Sequence, residues 1–154
     1  MRRVLIILAL LGLLALPVAA ETYGRVKKVL PQLLDLQGRH TLSPSLYDRD
    51  AYQAKLRRNP ELCSGLRFYI LWKAWVPKGT QLKLRIEARG SAPGKLPFQK
   101  TVEHDFTMGS SKLARWTEIT IDGDDFKKLG ELTAWHVTLW EGDTLVAEQK
   151  SFLW

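Results

Sequence analysis

Apolar and polar residues alternate along much of the second half of the chain. Apolar side chains occupy every second position from Leu66 to Ala74, and the alternation resumes from Leu82 to Ala88. A period of two is typical of β-strands that bury one face. The same criterion predicts four further strands, over residues 97–106, 115–121, 132–140 and 144–154. The pattern therefore indicates a mostly β chain.

The N-terminal part contains one predicted helix, over residues 46–58. Ser45, with Asp48 three residues later, fits a capping box in which Asp takes the usual place of Glu. Alternatively, in Ser43-Pro44 the serine caps the helix and the proline takes its first position. Asn59-Pro60 ends the helix, because a residue before proline avoids helical geometry.

A less regular apolar stretch precedes the helix, at residues 29–37. Pro31 lacks a backbone N–H, so this stretch is at best an edge strand or the start of a strand. We therefore expect an N-terminal segment, residues 21–63, and a β body, residues 64–154, that fold together as one domain. About six short strands after a single helix predict one antiparallel β-sandwich.

The last hairpin resembles that of a known architecture. The stretch from Trp135 to Glu148, in which Trp135 stands two residues before Val137, resembles the last hairpin of immunoglobulin-like and fibronectin-III-like sandwiches of exported bacterial proteins. The corner tyrosine of immunoglobulin domains precedes their second cysteine by the same spacing. The cysteine pair itself is absent, because the chain has one cysteine. The resemblance covers about the last forty residues and implies an architecture without a function.

The first twenty residues have the composition of an export signal. Arg2-Arg3 is a basic start, an apolar run follows from Val4 to Leu16, and Val18-Ala19-Ala20 supplies small residues at the −3 and −1 positions. The run is shorter than the roughly 20 residues of a membrane span. We therefore predict a signal peptide over residues 1–20 and an exported protein of the periplasm, cell envelope or extracellular space. An uncleaved anchor is the alternative.

Composition excludes several classes of protein, and charge indicates which partners the chain attracts. With 154 residues, 45% of them hydrophobic and 25% charged, the chain is neither wholly disordered, nor collagen-like, nor a multi-span membrane protein. The net charge is +7, and it becomes +5 without Arg2 and Arg3. Residues 21–115 carry 18 basic and 8 acidic side chains, whereas residues 116–154 carry 3 and 8. Such a basic body attracts acidic polysaccharide, anionic lipid headgroups or nucleic acid, and export argues against nucleic acid.

Few residues indicate catalysis or a metal. The three histidines are too far apart for a zinc motif, and neither a nucleophile elbow nor a glycine-rich phosphate loop is present. Asp122-Gly123-Asp124-Asp125 starts like a calcium loop, but Phe126 and Lys127 break the EF-hand pattern. We therefore predict no cofactor and no metal. Glu103 and Asp105 share a strand face, which keeps a small secreted carbohydrate-active enzyme as an alternative.

Cys63 and the tryptophans are the other residues whose role the sequence helps to predict. Cys63 is either buried and inert or the link of a disulfide dimer. Trp72 and Trp135 have the parity of the core, which we expect to include Leu84, Ile86, Val137 and Leu139. Three other tryptophans should point outward, where an indole can stack on a sugar or anchor a protein unless the helix covers it: Trp75, Trp116 and Trp140.

The last strand needs a break in its alternation. Leu145 and Ala147 have one parity, whereas Phe152 and Trp154 have the other. One bulge would place both pairs in the core.

Five cations and a tryptophan form the candidate binding face. These residues point outward from two successive predicted strands: Arg67, Lys73, Trp75, Lys83, Arg85 and Arg89. The short connection at 77–79 predicts that the two strands are antiparallel neighbours in one sheet. All five cations would then share one face, with Glu87 as the only acid among them.

The sequence therefore predicts an exported, non-catalytic module, with a binding or structural role in the cell envelope or secretome. The expected partners are an acidic glycan, anionic lipid headgroups or an envelope protein. The alternatives are the secreted enzyme and a subunit of an envelope assembly.

Overall fold

The computed structural model of the protein describes residues 23–109 and 113–154. The predicted signal peptide, residues 1–20, lies outside the described residues. The described parts form seven strands: β1 (Tyr23–Asp35), β2 (Cys63–Trp75), β3 (Gln81–Ser91), β4 (Phe98–Thr107), β5 (Arg115–Asp122), β6 (Glu131–Glu141) and β7 (Thr144–Lys150). They also form helix α1 (Leu46–Arg58), a 3-10 turn (Pro60–Leu62) and helix α2 (Gly123–Leu129). Within these ranges, no helix has the length and hydropathy of a membrane span.

The strands form two antiparallel sheets, in the orders β1-β2-β5 and β4-β3-β6-β7. With the strands lettered A, B, C, C′, E, F and G in chain order, the sheets are A-B-E and C′-C-F-G. Immunoglobulin-type domains place A, B and E in one sheet and C, F and G in the other, with C′ joining the second sheet when present. The strand order therefore confirms the immunoglobulin-like resemblance, which the sequence carried only in its last hairpin.

The inner faces of both sheets contribute to one hydrophobic core. Trp72 of β2 is 0% exposed, and its ring centroid lies 5.2 Å from that of Phe106 in the opposite sheet. Its indole Nε1 donates a 2.8 Å hydrogen bond to Thr117 Oγ1, so the buried polar atom is satisfied. The four aliphatic residues expected around it are 0% exposed, as predicted: Leu84, Ile86, Val137 and Leu139. Trp135 is only partly buried, because it packs at the margin of the core where its backbone bonds to Ser151.

Strands β2 and β3 are not neighbours, so the expected pairing between them is wrong. The connection between them crosses from the three-stranded to the four-stranded sheet. Gly79 donates its N–H to the Met108 carbonyl at 2.7 Å, and Met108 donates to the Thr80 carbonyl at 2.9 Å. Alternation identifies the buried face of a strand, but two successive strands satisfy it equally well side by side or face to face. Here their apolar rows face each other across the core.

The C-terminal end also differs from the expectation. The register shift between β6 and β7 lies between Leu145 and Ala147, not between Ala147 and Phe152, where the alternation breaks. Leu145 is exposed, so its expected place in the core is wrong. Strand β7 ends at Lys150, and Phe152 is fully exposed. The placement of Phe152 and Trp154 in the core is therefore wrong.

The described residues contain the predicted helix and a second helix. Helix α1 has the predicted bounds, and Ser45 caps it by accepting a 3.4 Å hydrogen bond from the Asp48 N–H. The second helix, α2, includes Gly123, Asp124 and Asp125 of the stretch that was compared with a calcium loop. Asp124 and Asp125 lie in its first turn, where carboxylates favour the helix dipole. The described residues are therefore mostly β, with two helices where the sequence predicted one.

Helix α1 docks on the free edge of β1. The Leu33 N–H donates to Gln53 Oε1 at 2.8 Å, and Gln53 Nε2 donates back to the Leu33 carbonyl at 2.9 Å. The side-chain amide thus makes the bonds that a neighbouring strand would make. An edge strand covered in this way presents fewer unpaired groups to other chains. The edge position also accommodates Pro31, as expected.

Asp35 ties α1 and the following turn to the end of β1. Its carboxylate accepts bonds from the backbone N–H groups of Arg39 and Gln37, the Tyr52 hydroxyl and the Arg39 guanidinium. Burial by itself would raise the pKa of Asp35, but the hydrogen bonds from Arg39, Tyr52 and Gln37 outweigh it and lower the pKa to about 2.

The core position of Trp72 can be tested by truncation. Trp72→Ala should lower the free energy of unfolding by about 3–5 kcal/mol, because it removes a fully buried ring and leaves a cavity. Trp75→Ala is the matched control, since Trp75 is 38% exposed at the end of the same strand and should cost about 1 kcal/mol or less. Urea unfolding of both variants measures the difference. Equal losses would contradict the assignment of Trp72 to the centre of the core.

The Asp35 cluster predicts a specific loss of stability in acid. Because its folded-state pKa is depressed, its contribution is present above the unfolded pKa near 3.8 and is lost as pH falls towards 2. With allowance for screening at the half-exposed Arg39, Asp35→Asn should destabilise the protein by roughly 1–2 kcal/mol at pH 7. The gap to wild type should close as the pH falls from 4 to about 2.

Asp50→Asn provides the control, because Asp50 lies on the exposed side of α1. It should change stability little at any pH. A gap between Asp35→Asn and wild type that persists unchanged at pH 2 would show that the ionised carboxylate is not what stabilises the cluster.

Candidate functional site

The outer face of the three-stranded sheet combines cations with aromatic rings. Cross-strand pairs Tyr23/Trp75 and Arg25/Lys73 lie at one end, and Lys28 lies opposite Leu71 in the next row. Further along, Gln32 of β1, Arg67 of β2 and Thr120 of β5 share a row. We call the surface between these rows the basic face, and its strand cations are Arg25, Lys28, Arg67 and Lys73.

The charges on the basic face are poorly balanced. Glu118 of β5 lies within these rows, and it contacts Arg67 at 3.5 Å. Lys73 places its Nζ 4.2 Å from the centroid of the Trp75 ring, a cation–π contact. Within residues 23–109 and 113–154, no ion pair joins Arg25, Lys28 or Lys73 to a carboxylate. The face therefore has a positive potential at the end near Trp75.

The outer face of the four-stranded sheet, which we call the mixed face, is balanced instead. Its outward rows contain four cations and five carboxylates: Lys83, Arg85, Arg89 and Lys150 against Glu87, Glu103, Asp105, Glu131 and Glu148. Glu103 bonds both Lys83, at 2.8 Å, and Arg85, at 2.7 Å. The guanidinium carbon of Arg89 lies 3.6 Å from the ring centroid of Trp154. These cations are largely occupied within the molecule.

The structure thus separates the six residues predicted to bind together. Arg67, Lys73 and Trp75 lie on the basic face, whereas Lys83, Arg85 and Arg89 lie on the mixed face. The expectation that they share one sheet face is wrong, because β2 and β3 belong to different sheets.

Glu103 also bears on the alternative of a glycosidase. Its hydrogen bonds from Lys83 and then Arg85 lower the pKa of its carboxyl, so it stays ionised at neutral pH. A glycosidase needs one carboxyl with a raised pKa as its general acid. The Glu103 carboxyl does not have that property.

A groove of about 180 Å³ lies on the basic face, beside α1. It is lined by residues from all three strands of this sheet, from α1 and from the loop between β1 and α1: Leu30, Gln32, His40, Arg49, Tyr69 and Trp116. Trp116 is 53% exposed. Of the outward tryptophans, Trp116 therefore offers the most accessible ring for stacking.

The hydrogen bonds at the end of β1 position the groove. The turn that Asp35 holds brings His40 over the sheet, and Gln53 Nε2 fixes it by donating a 2.8 Å bond to the His40 carbonyl. A 2.9 Å hydrogen bond joins His40 Nδ1 to the Tyr69 hydroxyl. The two rings lie 5.0 Å apart between centroids. The wall of the groove is therefore held by a continuous set of hydrogen bonds.

Burial, and then the positive charge of Arg67, lowers the pKa of His40 below its usual 6.5. Glu118 opposes this effect and Arg49 adds to it. His40 is therefore neutral at pH 7, so the positive charge at the groove comes from the two arginines.

Gln32 contributes an unusual acceptor to the groove. Its Oε1 atom is buried and accepts no hydrogen bond. Buried polar atoms are almost always satisfied, and leaving one unsatisfied costs about 1–3 kcal/mol. The groove therefore has an acceptor that a donor group of a ligand could satisfy.

The described residues give little support for a metal site or a reactive thiol. In the described ranges, no group of three or more potential metal-ligating side chains occurs. Asp125, from the stretch compared with a calcium loop, forms an ion pair with Lys100. The Cys63 thiol is half-buried and donates to the Leu56 carbonyl at 3.4 Å, and burial, together with Glu61, raises its pKa. A dimer linked through Cys63 stays a prediction.

The sequence missed most of this site. The outward parity of Trp116 was a usable signal, and Arg67 was identified. Arg25, Lys28, Gln32 and His40 gave no signal, because the sequence predicts at best an edge strand or the start of a strand in the segment before the helix. Its strand character depends on pairing with β2, which is a tertiary effect.

Comparison with known proteins places the chain by its fold. No protein-family model matches it, and no curated protein matches it significantly in sequence. A crystal structure from Akkermansia muciniphila is similar with a TM-score of 0.57 and 12% identity, over 85% of this chain and 70% of that one. An immunoglobulin-like protein from Pseudomonas aeruginosa matches with a TM-score of 0.36 and 14% identity, over 86% of this chain and 97% of that one. The first similarity shows a shared fold, and at this identity it carries no function.

Proposed function

We propose that the protein is an exported, non-catalytic β-sandwich module that binds an acidic glycan through its basic face. The observation that carries this proposal is the contrast between the two outer faces. Cations of the mixed face are matched by carboxylates, whereas Arg25, Lys28 and Lys73 have none opposite them in the described rows. Cations that lie along strands without carboxylate partners complement an extended polyanion better than a compact ligand.

The aromatic rings favour a glycan over a lipid surface. Tyr23 and Trp75 lie 4.8 Å apart between ring centroids at the strongly basic end, and both are exposed. Trp116 is exposed further along the same face. Flat rings that alternate with cations along a sheet can stack on successive sugar rings while the cations contact their carboxylates. The export that the sequence predicts would bring the module to such polymers in the cell envelope or outside the cell.

Charge removal on either face gives a matched test. Arg25→Gln/Lys28→Gln and Lys83→Gln/Arg85→Gln each remove two positive charges, from the basic and the mixed face respectively. A cation near an anionic surface contributes about 1 kcal/mol, so the first variant should bind immobilised polygalacturonate roughly tenfold or more weakly. The second variant should bind like wild type. Retention should be measured at low salt and at about 0.15 M salt, where screening weakens binding.

Two further arms of the experiment identify the polymer. Dextran beads, which carry neutral sugars, should retain none of the proteins. Vesicles that contain an anionic phospholipid test the lipid alternative. Equal retention of the two double variants on polygalacturonate, or stronger binding to the vesicles than to the glycan, would overturn the proposal.

A further inference from the structure

The groove beside α1 has properties that the rest of the basic face lacks. Its lining combines an exposed indole, a buried and unpartnered amide oxygen, and the guanidinium group of Arg49. A second guanidinium group, that of Arg67, lies beside it, where it bonds to the Tyr69 hydroxyl and contacts Glu118 at 3.5 Å. Its volume, about 180 Å³, is below the range of sites for drug-sized molecules, so it fits a single ring-sized unit.

Hydrogen bonds hold the guanidinium groups of Arg49 and Arg67, and one terminal nitrogen of each group lies outside those bonds. Arg49 uses Nε and Nη2 to bind Asp50, at 3.0 and 2.8 Å. Arg67 donates from Nε to Thr120 at 3.1 Å and from Nη1 to the Tyr69 hydroxyl at 3.4 Å. These bonds leave Nη1 of Arg49 and Nη2 of Arg67 outside the contacts described. A guanidinium that is already ordered binds a carboxylate with less loss of side-chain entropy.

The Gln32 oxygen limits the chemistry of the ligand. An acceptor without a partner needs a donor, and a fully ionised phosphate or carboxylate offers none. A sugar hydroxyl donates, and the faces of a sugar ring carry C–H groups that pack on an indole such as Trp116. A unit that carries a carboxylate, several hydroxyls and an apolar ring face satisfies the whole lining.

From these properties we infer that the groove is a subsite for one uronic-acid-type sugar of the polymer. The inference rests on the proposed function and specifies the class of sugar that the groove binds. The sugar ring stacks on Trp116, one hydroxyl donates to Gln32 Oε1, and the carboxylate contacts Arg49 and Arg67 from the open side. The cations towards Trp75 then contact neighbouring units of the same chain without a shaped pocket.

Titration calorimetry with trigalacturonate tests the subsite. Trp116→Ala should weaken binding about tenfold, because it removes the stacking ring, and Trp140→Ala, on the mixed face, is the matched control with little effect. Gln32→Leu should weaken binding about fivefold, because it removes one acceptor. Its melting temperature should be unchanged or higher, since the variant also removes a buried unsatisfied atom. That combination separates a lost ligand contact from a damaged fold.

Two ligand controls complete the experiment. The methyl-esterified trimer, which keeps the rings and hydroxyls but not the charge, should bind at least about tenfold more weakly. Inorganic phosphate should not compete at equal concentration. Equal binding of the ester, competition by phosphate, or equal effects of Trp116→Ala and Trp140→Ala would overturn the subsite.

The failures of the two proposals are distinguishable. One outcome is that Arg25→Gln/Lys28→Gln lowers retention on polygalacturonate while Trp116→Ala leaves trigalacturonate binding unchanged. In that case the proposed subsite is wrong, and the proposal that the basic face binds the glycan is supported. If trigalacturonate binding depends on Trp116 and Gln32 while both double variants are retained equally, the groove recognises the sugar and the basic face has no role.

Discussion

The burial of the apolar rows of β2 and β3 against each other determines on which outer face the charged residues of these two strands lie. Trp72 and its neighbours on β2 face Leu84 and Ile86 of β3 across one core, and none of these three side chains is exposed. Side chains alternate along a strand, so the polar rows of β2 and β3 must point in opposite directions. The cations of the two strands are therefore on opposite outer faces, and each face acquires its own charge balance from its other strands.

Those other strands decide which face can bind. Strand β4 contributes Glu103 to the mixed face, and that carboxylate is bonded by both Lys83 and Arg85. Strand β1 contributes Arg25 and Lys28 to the basic face, where they add to Lys73. The position of β1 depends in turn on the Gln53 amide and the Asp35 carboxylate, which hold α1 and the His40 turn against it. A hydrogen-bonded edge thus supports both the basic face and the groove.

The sequence predicted the elements much better than their arrangement. Helix α1 and the buried rows of β2, β3 and β5 follow from capping residues and alternation, which are local signals. The crossover after Trp75 was not predicted, because alternation does not show whether strands pair or face each other. The C-terminal residue Trp154 has the parity of a core residue, yet its ring stacks with Arg89 outside the core. For the site, Trp116 and Arg67 could be identified, whereas Gln32 and His40 depend on how β1 and α1 pack.

The central claim is that the basic face, and not the mixed face, contacts an acidic glycan. The most direct test follows the backbone amide resonances of the mature protein during titration with trigalacturonate. We predict that the largest shifts fall on the outward residues of β1 and β2 and on Trp116, with little change at Lys83, Arg85 and Glu103. Shifts concentrated on β3 and β4, with β1 unaffected, would contradict this account.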